Sequence, residues 1–318
     1  MTIAGDHFDG RKFFNPSGPA LQPFTALPRL LLTPRTRWPR SVEVTQRAPP
    51  PRSGHDVVVT FIGHATFLIQ TPTETILIDP VFADHAGPFG MFGPRRVRRP
   101  GIAFDRLPPV SLILLSHNHY DHCDVRALRA LARRFDPPVI APLGNARLLR
   151  STGLRRIEEL DWWDKTTVNA LPVMLTPAQH FSARTPFDRN RALWGGFVIA
   201  CGTLSVYFAG DTGYTTVFAE VRKRVGRVDL ALLPIGAYEP RWFMQSIHMN
   251  PADAVQAHVD LQATTSVAMH FGTFQLTPEG IDEPVRALAE ARERQGIAPA
   301  AFQTLEVGAS IGVEYDST

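Results

Sequence analysis

The sequence predicts an α/β protein of two packed β-sheets with helices on their outer faces, and three observations carry that prediction. Short apolar runs at hairpin spacing crowd two stretches of the chain, helical segments are interspersed among them, and metal-binding residue types recur where apolar runs end. With 318 residues, 44% of them hydrophobic, the chain can bury a substantial core, and α/β folds of this size are often one domain.

Residues 1–55 hold nine prolines, ending in Pro49-Pro50-Pro51, and show no sustained periodicity. They read as an extended proline-rich N-terminal arm, with residues 56–318 as the folded domain. From Asp56 the pattern changes: Val57–Phe61, Thr66–Ile69 and Thr75–Ile78 are three short strands separated by turn residues. Val110–Leu115, a continuous apolar run behind Pro108-Pro109, reads as a buried strand. Asp124 is a good N-cap for a helix over 125–134, with Leu128 and Leu131 on its apolar face. Further strands are expected at 138–140, 157–160, 172–175, 194–200, 204–209, 230–233 and 266–269. Helices are expected at 145–150, 214–225, 251–261 and 283–293, before terminal strands.

Composition narrows the function. Two cysteines, Cys123 and Cys201, imply no disulfide framework and exclude a thiolate zinc ribbon, which favours a reducing compartment. No apolar run approaches the ~18 residues of a membrane span, and the amino terminus does not read as a secretory signal. These features predict a cytoplasmic protein. A formal charge of +3 is too small to argue for nucleic acid. Arg95, Arg96, Arg98 and Arg99 nevertheless form a basic knot beside Phe89, Met91 and Phe92. It reads as a solvated loop or as a contact for an anionic lipid surface or phosphate substrate.

The chemistry sits in Ser116-His117-Asn118-His119-Tyr120-Asp121-His122-Cys123-Asp124, a tight loop between a buried strand and a helix. His117 and His119 can converge on one ion while Asp121 and His122 point from the next turn towards a second. Neutral imidazole and carboxylate are the donors zinc accepts outside all-thiolate sites. A lone histidine is usually a solvated or hydrogen-bonded residue; three of them with an aspartate after a strand point to metal. Three more donors follow apolar strands: His180, Asp211 and His270. Singly, each could be a turn residue or a satisfied core histidine, but together they supply what the loop lacks.

The SHNHYDH motif with His180, Asp211 and His270 resembles the metallo-β-lactamase superfamily, which implies a four-layer αβ/βα sandwich with a dinuclear metal site on one edge. The resemblance assigns His117, His119 and His180 to one metal and Asp121, His122 and His270 to the other, with Asp211 bridging both. Flanking blocks are more specific. FIGHATFLI (61–69), LIDPVF (77–82), FAGDTGY (208–214), PIGAYEPRWFM (234–244), HFGTF (270–274) and the HFDG–FFNP start (7–16) look like the N-acylphosphatidylethanolamine-hydrolysing phospholipase D branch. His248 matches a histidine which, in that family, lies beside the reacting phosphate.

These assignments imply two Zn2+, with Mn or Fe as alternatives, and a phosphodiesterase releasing phosphatidate and N-acylethanolamine. Two ions roughly 3.5–4 Å apart can hold a bridging hydroxide at neutral pH. Asp211 would orient it, Asp121 would complete the site, and His248 would donate a hydrogen bond or a proton. Asp79 and His64 are expected behind ligating imidazoles, or else in purely structural roles, and Tyr120 against substrate or packed under the metals. The expected partner is a phospholipid or small phosphodiester, with peripheral membrane contact; a homodimer stays open. The alternatives are a lactonase of the ascorbate-6-phosphate lactonase type and a non-catalytic metal-binding scaffold. A redox di-iron site is disfavoured because such relatives place a carboxylate where His119 stands.

Overall fold

In the computed structural model, residues 6–52 and 56–314 are described. Their strands are β1 (Asp56–Gly63), β2 (Thr66–Gln70), β3 (Thr75–Ile78), β4 (Leu112–Leu114), β5 (Val139–Pro142), β6 (Ile157–Leu160), β7 (Lys165–Val168), β8 (Leu171–Thr176), β9 (Gly196–Cys201), β10 (Leu204–Phe208), β11 (Leu230–Pro234), β12 (Thr265–Met269), β13 (Phe302–Gln303) and β14 (Ser310–Glu314). The α-helices are α1 (Leu27–Leu31), α2 (Val125–Arg134), α3 (Ala146–Arg150), α4 (Val217–Val225), α5 (Arg241–Met244), α6 (Pro251–Leu261) and α7 (Glu283–Gln295).

Two seven-stranded sheets result, ordered β14-β1-β2-β3-β4-β5-β6 and β13-β12-β11-β10-β9-β8-β7. Both are mixed. β3 to β6 run parallel, as do β10 to β13, while the hairpins β1–β2, β7–β8 and β9–β10 are antiparallel. Alternation of side chains along a strand explains the layering. Phe67, Ile69, Ile76, Ile78, Leu112 and Leu114 point to the core between the sheets. Their neighbours Leu68, Leu77, Ile113 and Leu115 face the opposite side, where Leu128 and Leu131 of α2 and Leu149 of α3 cover them. On the second sheet, Phe218 and Val221 of α4, Val255 and Leu261 of α6 and Leu288 of α7 join the main core. The order is helix, sheet, sheet, helix.

Helix starts follow local chemistry. Asp124 caps α2, accepting from the amides of Arg126 and Ala127, and its other oxygen accepts from the amides of Phe82 and Ala83. Asn250 and Asp253 form a reciprocal capping box on α6, with Pro251 at its first position.

Several expectations need correction. The helix expected from 214 begins at Val217, and the strand expected from 194 begins at Gly196. β7 and the one-turn α5 were not expected: β7 (KTTV) has half-exposed alternation too short to register, and four residues carry no helical period. The arm, described over residues 6–52, contains α1 and lies against the body. Phe13 is buried in the main core, and Trp38 Nε1 donates to the Glu279 carbonyl at 2.8 Å. The basic knot is not one surface. Arg96 is buried, donating to the carbonyls of Ala83 and Val81 and stacking over Phe274, because its guanidinium satisfies loop carbonyls that no strand pairs. Arg98 donates to the Gly272 carbonyl, which leaves Arg95 and Arg99 exposed.

Candidate metal centre

Strand direction gathers the donors. β3, β4, β8, β10 and β12 all end towards one edge of the sandwich, β8 and β10 being parallel because each pairs antiparallel with β9. The loop after β4 carries His117 to His122; His180 follows β8, Asp211 follows β10 and His270 directly follows β12. The turn between β1 and β2 brings His64 to the same edge. His64, Asp79 and His270 adopt left-handed backbone conformations (φ 58°, 41° and 61°), which non-glycine residues tolerate at a cost and which cluster at functional sites.

The structure brings the seven expected donors together in two groups. His117, His119, His180 and Asp211 form one; Asp121, His122 and His270, joined by His64, form the other. His119 Nδ1 lies 2.9 Å from His117 Nε2 and 3.2 Å from His180 Nε2. Asp211 Oδ2 stands between the groups, 3.9 Å from His117 Nε2, 3.8 Å from His180 Nε2, and 3.1 Å from both His122 Nε2 and His270 Nε2. His270 Nε2 is also 3.3 Å from Asp121 Oδ2. Around a tetrahedral ion with bonds of ~2.0–2.1 Å, donors lie about 3.3 Å apart. The observed spacings fit that requirement. His122 Nε2 and His270 Nε2 make no hydrogen bond of acceptable geometry although both are buried, a costly state that a cation would relieve.

The ring nitrogens facing away from the centre select the tautomer. His122 Nδ1 donates to Asp79 Oδ2 at 2.6 Å, and Asp79 also accepts from the Ser116 amide at 2.7 Å and the Ser116 hydroxyl at 2.6 Å. His180 Nδ1 donates to the Ile247 carbonyl at 2.9 Å, and His117 Nδ1 lies 3.0 Å from the Ser116 hydroxyl. All three therefore present Nε2 inwards. Asp79 thus stands behind the His122 ring. His64 does not back an imidazole: its Nε2 lies 3.0 Å from Asp121 Oδ2, and its carbonyl accepts the His270 amide at 2.8 Å.

Electrostatics divide the two groups. Burial, reinforced by neighbouring histidines, lowers His119 to about 3 and holds His117 well below the ordinary histidine range. Burial also takes His180 down to about 4. In the other group burial again opposes charge, but Asp211 overcomes it, raising His270 to about 9 and His122 well above its ordinary value. Burial resists ionisation of Asp121 and Asp211 too, yet the charge on His122 holds both carboxyls well below the usual range.

His248 is buried, not on the surface, with its ring centroid 5.1 Å from that of His180 and 5.2 Å from that of His270. The EPRWFM block places it: Arg241 donates to the His248 carbonyl at 3.0 Å and to Asp253 at 2.7 Å, tying α5 to the cap of α6. Tyr120 lines a cavity of about 550 Å³ beside the loop and donates to the Arg184 carbonyl at 2.8 Å. The Arg184 guanidinium stacks over the Tyr120 ring and donates to the carbonyls of Asn118 and Cys123. Sequence reasoning missed Ser116, which had a signal in standing directly before the histidine loop, and Arg184, which had none.

A Beta-lactamase superfamily domain model matches residues 74–271, the span holding all seven donors. The chain belongs to the metallo-β-lactamase superfamily. Within that superfamily it falls in the N-acylphosphatidylethanolamine-hydrolysing phospholipase D-like branch. It is 34% identical over 263 residues (78% of this chain, 74% of the relative) to N-acyl-phosphatidylethanolamine-hydrolyzing phospholipase D 1 of Caenorhabditis elegans. An uncharacterised Mycobacterium tuberculosis protein is 40% identical over 249 residues, 77% of this chain; the chain spans 66% of that relative's length. A metal-dependent hydrolase of Anaeromyxobacter sp. is 33% identical over 77% of this chain and 86% of its own. Two solved structures share the fold. They are a possible metal-dependent hydrolase from Veillonella parvula (TM-score 0.66, 20% identity, 80% of this chain, 99% of that one) and the metallo hydrolase Igni18 from Ignicoccus hospitalis (0.62, 22%, 82% and 100%).

Proposed function

We propose that this chain is a phosphodiesterase of phospholipase D type, hydrolysing N-acylphosphatidylethanolamine-like lipids to phosphatidate and N-acylethanolamine. The observation that carries the substrate is the 34% identity to the C. elegans enzyme over 78% of the chain. The seven donors would hold two divalent cations, with zinc as the expected ion for an imidazole and carboxylate set and Mn or Fe as alternatives. When bound, such ions supply Lewis acidity and make water a nucleophile at neutral pH.

The chain's own residues divide the remaining work. Asp211 presents one oxygen to both groups and so sets their separation. Burial keeps His248 well below the ordinary histidine range, so a neutral ring stands beside both groups with Nδ1 lacking a hydrogen-bond partner. That favours hydrogen bonding to a phosphoryl oxygen over proton donation. Next to the cavity beside Tyr120, Phe89, Met91 and Phe92 are 76%, 61% and 59% exposed, an apolar patch near exposed Arg95 and Arg99. Such a surface suits peripheral contact with lipid. Among the described residues no helix is long and apolar enough to cross a membrane.

Incubation of the metal-loaded protein with a total lipid extract, read by mass spectrometry, tests substrate and reaction together. Release of N-acylethanolamines matched by phosphatidate is expected. Inert lipids with efficient lactone turnover would overturn the assignment.

A further inference from the structure

We infer that Asn15 is a positioning residue for the group formed by His117, His119 and His180, and that residues 7–19 clamp the loop carrying His180. The inference rests on reading the seven-donor cluster as a metal centre.

His180 needs outside support because of where it lies. His270 follows the last residue of β12 directly and its amide is held by the His64 carbonyl, whereas β8 ends at Thr176 and His180 comes four residues later. A metal ligand must be held to within about 0.5 Å, a tolerance that a free loop does not meet.

The N-terminal segment supplies the missing constraint. It is anchored at two places before it reaches the loop. The His7 ring stacks on Trp162 at 4.5 Å between centroids, with Nε2 2.7 Å from Asp161 Oδ1. Phe13, buried in the core and bridged to Phe8, donates its amide to the Asn190 carbonyl at 2.8 Å. Two residues on, Asn15 Nδ2 donates to the His180 carbonyl at 2.8 Å. A carbonyl only accepts, so the amide orientation is fixed. Further along, Gln179 Nε2 donates to the Pro19 carbonyl at 2.9 Å. Gly18, at φ +93°, approaches so closely that a Cβ there would lie 2.6 Å from Gln179 Oε1.

Two consecutive residues of the ligand loop are thus gripped from the arm. Their other sides are tied to the rest of the centre. The Gln179 amide donates to the Thr212 hydroxyl and the Gln179 carbonyl accepts from the Gly213 amide, both at 2.9 Å, one and two residues beyond Asp211. The His180 ring is turned by the Ile247 carbonyl. The HFDG–FFNP segment therefore does for His180 what a strand end does for His270.

The test separates the two groups of donors. Asn15→Asp keeps the size of the side chain but sets an acceptor against the His180 carbonyl. It is introduced into full-length Asp121→Ala, which retains the group around His180, and into full-length His119→Ala, which retains the other. Co2+ affinity is measured by absorption titration of the metal-stripped proteins. The expected result is about a tenfold loss of affinity in the Asp121→Ala background and none in the His119→Ala background. Unchanged affinity in the first background, or equal losses in both, overturns the clamp. If Asn15→Asp does not fold by circular dichroism, Gly18→Ala, which displaces Gln179, is read against the same outcomes. Failure of the otherwise unaltered protein to bind Co2+ or Zn2+ sinks the metal-centre reading itself and is distinguishable from either result.

Discussion

The two donor groups on either side of Asp211 are built from similar residues but are prepared differently for a cation. His117, His119 and His180 are neutral imidazoles, discharged by burial and mutual repulsion, and they meet an ion with no proton to lose. Asp121, His122 and His270 form a charged cluster in which both histidines are raised, so a cation must displace protons. Their supports differ as well. The first group leans on a backbone carbonyl and the N-terminal segment; the second leans on buried Asp79 and on His64. One edge of a sandwich thus offers two candidate sites with different proton costs, and they should fill in sequence.

The largest expected effect tests what the groups share. Asp211→Ala removes the oxygen facing all four flanking histidines, and both ions should be lost, with phosphodiester turnover falling on the order of 10³-fold or more. Elemental analysis beside a reporter assay checks this; retention of two ions would show that Asp211 is not the shared ligand.

Asp79→Ala should separate the groups. It leaves His122 Nδ1 without its acceptor and frees the Ser116 hydroxyl that meets His117 Nδ1, so affinity for the ion on the His122 side should drop about 10–100-fold and affinity on the His117 side by less. Chelator competition resolves the two affinities, and equal weakening would erase the distinction.

Acidity should divide them more gently. His270 is protonated below about 9, so the second binding event should strengthen as pH rises towards that value and release protons at neutral pH. His119 and His180, at about 3 and 4, are already neutral from pH 5 upwards, and the first event should release almost none. Calorimetric titration in buffers of different ionisation enthalpy counts these protons. Equal release at both sites would contradict the assignment.

The smallest effect concerns Tyr120. Tyr120→Phe loses one hydrogen bond to the Arg184 carbonyl and should cost about 1 kcal/mol of stability with both ions retained. A thermal melt paired with metal analysis decides the point.

Much of this site was legible because its donors are announced locally. The H-x-H-x-D-H loop is a dense cluster behind an apolar run, and Asp211 and His270 each end an apolar strand, so periodicity and residue type located them together. Asp79 was legible for the same reason. His64 was placed at the right edge but behind the wrong partner, since which oxygen its ring meets depends on the turn of a loop 57 residues away. Arg96 reads as surface charge in sequence and proves to be buried, because unpaired loop carbonyls, invisible to periodicity, recruit it. Asn15 lies 165 residues from the carbonyl it holds, and no local pattern could join them.

By itself, the sequence determined the α/β class, the positions of most strands, the helix cap at Asp124 and the seven candidate donors, all of which follow from short-range patterns of hydrophobicity and chemistry. Only the tertiary structure decided which ring nitrogens face the shared edge, how burial and Asp211 pull the two groups apart, and that the N-terminal segment reaches the loop carrying His180. Those properties depend on burial and on hydrogen bonds between distant segments. Neither exists until the two sheets close on one another.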